Sequence, residues 1–216
     1  MSTIVFDIET IPAPEAEANP DAVREMAAKR EQDRATFASL CPPLARVVAV
    51  GMLHPNSGRL HIVYDSSLLD LDTPREDAVG CAGERELLST LAQILTERGV
   101  TRIVTFGGRA FDVPTLIHRM RINNVAVPAI LTHAAWQKPW EDTPHVDVLN
   151  QCTFGGAGGR YPLRAYALAY GLQDPKEEFG GENVLGLVLQ RDGTRLCRYL
   201  EGDVRTTAEL WARIAE

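Results

Sequence analysis

Cysteine is scarce and scattered in this chain. Cys41, Cys81, Cys152 and Cys197 form no C-x-x-C pair, which argues against a zinc site or a disulfide framework and for reduced thiols used as small apolar fillers. No apolar run approaches the ~18 residues that a membrane-crossing helix needs. Met1-Ser2-Thr3 leads straight into an apolar strand, without the basic stretch and long apolar run of a signal peptide, so the expected compartment is the cytoplasm. Positive charge is also in short supply. The 22 Lys and Arg against 29 Asp and Glu give a net charge of −7, which excludes a protein that coats nucleic acid through a broad basic surface. It leaves room for an enzyme that holds one strand end through metal ions and a few arginines. No repeat or low-complexity linker divides the 216 residues, so one domain spanning 1–216 is expected. With 45% apolar and 24% charged residues, wholesale disorder is excluded.

Residues 3–8 are apolar and β-branched and predict a buried strand, which Pro12, Pro14 and Pro20 end. Residues 21–39 predict a charged helix with Asp21 as N-cap, either solvated or leaning over a site. Strands follow at 45–53 and 59–64, joined at Asn56-Ser57-Gly58 into a hairpin. Residues 66–83 read as an acidic, irregular connection, and 84–98 as an amphipathic helix closed by Gly99. A strand at 102–106 leads through Gly107-Gly108 into a helix from Asp112 to Met120. Residues 128–144 resist assignment, and 145–149 suit a fifth strand. Gly155 to Gly159 form a flexible loop, a helix covers 162–170, and a terminal helix starts near Thr194. The order predicts an α/β fold with a mixed central sheet of about five strands, antiparallel first and parallel later, flanked by helices.

Three groups of residues carry chemistry. Asp7 and Glu9 are two apart in the first strand, so their carboxylates share a face and can meet one metal ion. Other acid-x-acid pairs exist (Glu15/Glu17, Glu31/Asp33, Asp70/Asp72, Glu84/Glu86, Glu201/Asp203), but only the first lies within an apolar strand, where an unpaired charge is costly. Asp112 fits two roles, an N-cap before the Pro-containing first turn or a carboxylate at the mouth of the sheet. Tyr199 and Asp203 are four apart in a helix and share a face.

Taken together, Phe-Asp-Ile-Glu-Thr at 6–10, Gly-Arg-Ala-Phe-Asp at 108–112 and Tyr-Leu-Glu-Gly-Asp at 199–203 resemble the DEDD superfamily of 3′→5′ exonucleases, tyrosine subclass. The histidine subclass would carry His at position 198, which is Arg198. Within the superfamily the chain resembles predicted exonucleases related to the proofreading domain of family B DNA polymerases, which share the His-x-Asp-Val seen at 145–148. The resemblance spans nearly the whole chain, and with no polymerase region following it the expectation is a free-standing domain. In one departure, Gly107 stands where relatives often have Asn before the second motif.

The resemblance implies a ribonuclease H-like fold and a phosphodiesterase that shortens the 3′ end of single-stranded nucleic acid, DNA favoured and RNA possible, to nucleoside 5′-monophosphates. It implies that Asp7, Glu9, Asp112 and Asp203 hold two Mg²⁺ or Mn²⁺ ions and that Tyr199 orients the attacking water. The backbone of Thr10 and Ile11 would reach the terminal nucleotide. Gly107 and Gly108 would let the backbone approach the strand, and Phe111 would stack on a base or serve as a core aromatic. Arg109, Arg160 and Arg164 are candidates for phosphate contacts, and His145 and Asp147 for structural work at the sheet end. Two alternatives stay open: a catalytically weak or inactive nucleic-acid or partner-binding module on the same fold, and an endonuclease. No membrane partner is expected, and no protein partner is indicated.

Overall fold

The computed structural model describes residues 2–138, 141, 143–174 and 184–215. Its frame is a six-stranded sheet in the order β4-β3-β2-β1-β5-β6. The strands are β1 (Ser2–Pro12), β2 (Ala45–His54), β3 (Arg59–Asp65), β4 (Ala78–Cys81), β5 (Val100–Thr105) and β6 (His145–Asp147). β1 runs parallel to β5 over Ser2–Val5 and antiparallel to β2 over Val5–Pro12, so it lies inside the sheet between the two. β2 and β3 form the expected hairpin, while β4 and β6 add in parallel at the two edges.

Alternation along β1 sorts its side chains between two cores. Ile4, Phe6 and Ile8 join Leu87, Leu88, Leu91 and Leu95 of α4 (Glu84–Glu97), and Val113, Leu116 and Met120 of α5 (Asp112–Ile122). Leu131 and Ala134 of α6 (Ala129–Trp136) complete that layer. Val5 and Ile11 join the opposite layer, with Leu196, Leu200, Val204 and Leu210 of α10 (Gly193–Ile214). Leu163 of α8 (Leu163–Ala169) and Leu187 and Val188 of α9 (Val184–Leu189) also pack there. Asp7 and Glu9 have the parity of Val5, so they face the α10 side.

Several expectations are corrected. The sheet has six strands because Ala78–Cys81, within the segment expected to be irregular, pairs in parallel with β3. Four residues with Gly80 among them give too little periodicity to read. The helix expected over 21–39 is two pieces, α2 (Pro20–Ala28) and α3 (Arg34–Ser39), preceded by a short helix α1 (Pro14–Ala18). The break comes at Glu31, in the left-handed region at φ 55°, and Asp33 caps α3 by accepting from the Thr36 N–H at 2.9 Å. Asp21 lies in the first turn of α2 behind Asn19 and Pro20 and is not its N-cap. The fifth strand stops at Asp147, because the Asp147 carboxylate accepts from the Asn150 N–H and starts the short helix α7 (Val148–Cys152). α6 occupies part of the segment that resisted assignment. At the β6 edge, the Gln137 amide both accepts from and donates to the His145 backbone at 2.7 Å, standing in for a further strand.

One buried ion pair ties α1, α4 and α5 together. The Arg119 guanidinium meets both Glu84 carboxylate oxygens at 2.9 and 2.6 Å, and its other arm reaches Glu15 at 3.3 Å. Glu84 also accepts from the Val47 N–H at 2.9 Å, so no charge in the group is left alone. Arg119→Met should therefore lower the unfolding free energy by about 3–5 kcal/mol by stranding Glu84. A urea titration checks this, and a loss well below 1 kcal/mol would show that water relieves the stranded charge.

Candidate active site

The two central strands and α10 bring the acidic side chains together. Asp7 and Glu9 point from β1 toward α10, whose apolar stripe Leu196-Leu200-Val204 packs on the same sheet face. Leu200 and Val204 flank Asp203, so burying them turns Asp203 toward β1. Asp7 faces Gly51 across the β1–β2 pair, and a Cβ at Gly51 would lie 2.7 Å from Leu200 Cγ. Glycine there lets α10 approach the sheet, a role that sequence reasoning missed because Gly51 reads as one more residue of an apolar strand.

The outcome is a compact cluster. Asp7, Glu9 and Asp203 each offer a carboxylate oxygen, and these atoms all lie within 4.8 Å of one another. Tyr199 stands one turn before Asp203. Burial, followed by the charges of Glu9, Asp203 and Asp7, pushes the Tyr199 phenol well above its usual range. It therefore stays protonated and can donate its hydrogen.

Asp112 arrives from the other layer, at the first turn of α5. Phe111 occupies the N-cap position and no side chain caps that helix, so the Asp112 carboxyl does not serve as an N-cap. It is buried against Asp7 and the Ile8 backbone. Burial pushes its pKa up to about 7, assisted by the Asp147 charge and opposed by hydrogen bonds, including one to Asp7. Its Oδ1 has no hydrogen-bond partner among the described residues. A buried carboxyl with an orphaned oxygen, beside three converging carboxylates, fits a hard divalent cation with oxygen ligands. The donor set includes no His or Cys, which suits Mg²⁺ or Mn²⁺ better than zinc.

The loop before Asp112 is fastened by a residue with no part in the cluster. The Asp147 carboxylate accepts from the Gly107 N–H at 2.8 Å and the Arg109 N–H at 3.1 Å. Gly107 has φ 78°, a conformation that glycine adopts without strain. Gly108 sits so close to the site that a Cβ would lie 2.4 Å from Thr105 Oγ1 and 2.9 Å from Asp112 Oδ2. His145 Nε2 pairs with Thr105 Oγ1 at 2.8 Å, and burial pushes the imidazole down to about 4, so it is neutral near pH 7. His145 and Asp147 thus brace the loop from below.

A cleft of about 460 Å³ opens over the cluster, lined by Asp7, Glu9, Thr10, Phe111, Tyr199 and Asp203 on one side. Asp33, Ala35, Thr36, Ser39 and Leu40 from α3 and its ends, with Val184 and Leu185 of α9, form the other. The charged N-terminal segment therefore leans over the site through α3. The Thr10 hydroxyl, donating to the Ser39 carbonyl at 2.8 Å, ties that wall to β1 just past a register shift between Glu9 and Thr10. Phe111 lines the cleft and also packs on the core. Ile11 does not line the cleft: its side chain is in the core and its residue pairs with Arg46 of β2. Arg109 is likewise outside the lining, with its guanidinium on the Lys138 carbonyl at 3.3 Å.

Residues 39–216 match the profile of a family described as predicted 3′-5′ exonucleases related to the exonuclease domain of PolB. The chain belongs to that family. The match begins after β1, so Asp7 and Glu9 lie outside it. The whole chain is similar to part of the family B DNA polymerase from the archaeon Pyrobaculum calidifontis, with a TM-score of 0.63 at 18% identity. The likeness covers 100% of this chain and 24% of the polymerase, so the chain spans about a quarter of that protein's length. At that identity it establishes the ribonuclease H-like exonuclease fold of the family, with β1 in place. No curated protein matches the chain. Among the described residues, no helix is long and apolar enough to cross a membrane.

The raised pKa of Asp112 gives a pH test. A carboxyl whose folded pKa, about 7, exceeds its ordinary 3.8 favours the fold at low pH, and that contribution is lost as pH rises from about 4 to 7. In EDTA, Asp112→Asn should therefore gain melting temperature over the parent as pH rises through that window, by several degrees at pH 8. A difference that stays flat with pH would mean that Asp112 ionises without penalty.

Proposed function

We propose that this chain is a metal-dependent 3′→5′ exonuclease that hydrolyses single-stranded nucleic acid, DNA in preference to RNA, to nucleoside 5′-monophosphates. The observation that carries this reading is the convergence of Asp7, Glu9 and Asp203 within 4.8 Å, with the orphaned Asp112 oxygen beside them. Family membership supports the nuclease class, and the donor set supports its metal dependence. Asp7, Glu9, Asp112 and Asp203 would hold two Mg²⁺ or Mn²⁺ ions. Such ions supply Lewis acidity, both to a bound water and to the oxygen that leaves.

The chain's own groups do the rest. Asp112 must give up its proton to serve as a ligand, so loading should release a proton near neutral pH. Tyr199, held protonated, donates to the attacking oxygen and fixes its direction, and Glu9 is the acceptor that orients it from the other side. This pairing supports reading the chain as a member of the tyrosine subclass. Phe111 and Leu40 offer apolar walls for the terminal base, and the Thr10 backbone offers polar contacts to the terminal sugar. Gly108 keeps the loop low, so the strand end comes close to Asp112. The domain is taken as 1–216. The four free thiols, Cys41, Cys81, Cys152 and Cys197, suit a reducing compartment, in keeping with a cytoplasmic location.

The test is a 5′-labelled single strand, DNA or RNA, incubated with Mn²⁺ or EDTA. A ladder shortening from the 3′ end with Mn²⁺ alone is expected. Asp7→Ala should lower the rate by about 10³-fold and Tyr199→Phe by about 10²-fold with little change in KM. Metal-dependent cutting of a circular strand would assign an endonuclease instead. Binding without cutting would assign the inactive module.

A further inference from the structure

A second opening reaches the same carboxylates. Asp7 and Asp203 also line a groove of about 480 Å³ with Phe106, Leu163, Arg164 and Thr207. From Phe106 a run of aromatic rings leads outward. Phe106 meets Tyr166 edge to face with centroids 5.8 Å apart, and Tyr166 meets Tyr161 in the same manner at 6.4 Å. The last ring is 60% exposed. It is also held in place, since a Cβ on Gly159 would come within 3.1 Å of it, so the ring rests on bare backbone. Arg160 precedes it and Arg164 follows one turn later, both exposed, the latter paired with Asp174 at 2.8 Å.

The two openings differ in charge. The described lining of the first cleft has four acids and no Lys or Arg. The groove beside Phe106 shares Asp7 and Asp203 with the cleft but adds an arginine on its rim, a second arginine close by and an exposed aromatic face. Single strands are held by this combination, with cations tracking the backbone and rings stacking the bases.

We propose that the groove between the end of β5 and α8 takes the nucleotides on the 5′ side of the scissile phosphate, with one base stacked on Tyr161 and the backbone held by Arg160 and Arg164. The inference rests on the exonuclease reading for where the 3′ end lies. Phe106 and Tyr166 support the Tyr161 ring from behind and set its distance from the carboxylates.

The test is direct binding in EDTA, which stops cleavage, read as the anisotropy of a 5′-fluorescein oligothymidylate of about twelve nucleotides at low salt. Tyr161→Ala should weaken binding about tenfold, while Tyr161→Phe and Tyr161→Trp should stay within about twofold of the parent. An abasic position walked from the 3′ end should find one place where the parent loses about tenfold and Tyr161→Ala loses nothing further. Equal binding by Tyr161→Ala and parent, or a Tyr161→Ala deficit that persists at every abasic position, would overturn the proposal. The outcomes are separable from those of the nuclease assay. An active nuclease with no Tyr161 dependence would sink the platform alone. Tyr161-dependent binding by a protein that cuts nothing would keep the platform and sink the nuclease.

Discussion

Carboxylates brought within 4.8 Å of one another repel, and the rest of the structure is arranged so that they cannot move apart. Asp7 and Glu9 are paired with Gly51 and Ala49 of β2, on a strand whose preceding residues, Ser2–Val5, are also paired with β5, and this holds their backbone in the sheet. Asp203 is carried by a 22-residue helix whose apolar stripe is locked against the same sheet face. The absence of a Cβ at Gly51, opposite Asp7, lets that helix come close. A cluster of carboxylate oxygens of this kind suits a hard divalent cation.

Asp112 answers to the same constraint from the opposite layer. It is buried, raised to a pKa of about 7, and has an oxygen without a hydrogen-bond partner among the described residues. A loop free to relax would carry that carboxyl into water. The loop is instead pinned by Asp147, which takes two of its N–H groups, and by Thr105, which is paired with a neutral His145. Residues outside the acidic cluster thereby decide where Asp112 stands. The His145-x-Asp147 pair works in this way, through the 107–109 loop rather than through chemistry of its own.

The N-terminal segment supplies one wall of the cleft. Broken at Glu31 and capped at Asp33, it turns α3 across the mouth of the cleft. It is anchored at both ends, by Glu15 on the buried Arg119–Glu84 pair and by the Thr10 hydroxyl on Ser39. A single continuous helix over 21–39 would have run past the site. The break gives the cleft its second wall.

Local signals determined a good deal. An acid pair at a spacing of two in an apolar strand, and a Tyr and Asp at a spacing of four in a helix, fix which side chains share a face, because those periods are properties of the backbone alone. The α/β class, the β2–β3 hairpin, α4 and α10 were legible for the same reason. Other features carry no local period. β4 exists because β3 offers it an edge, Gly51 matters only because Leu200 lies over it, and Asp147 acts on a loop 38–40 residues away in sequence. Whether Asp112 capped a helix or faced a cluster was open in the sequence, since both roles put an acid at a helix start. Only the packing of two layers on one sheet, which buries that carboxyl against Asp7, decided it.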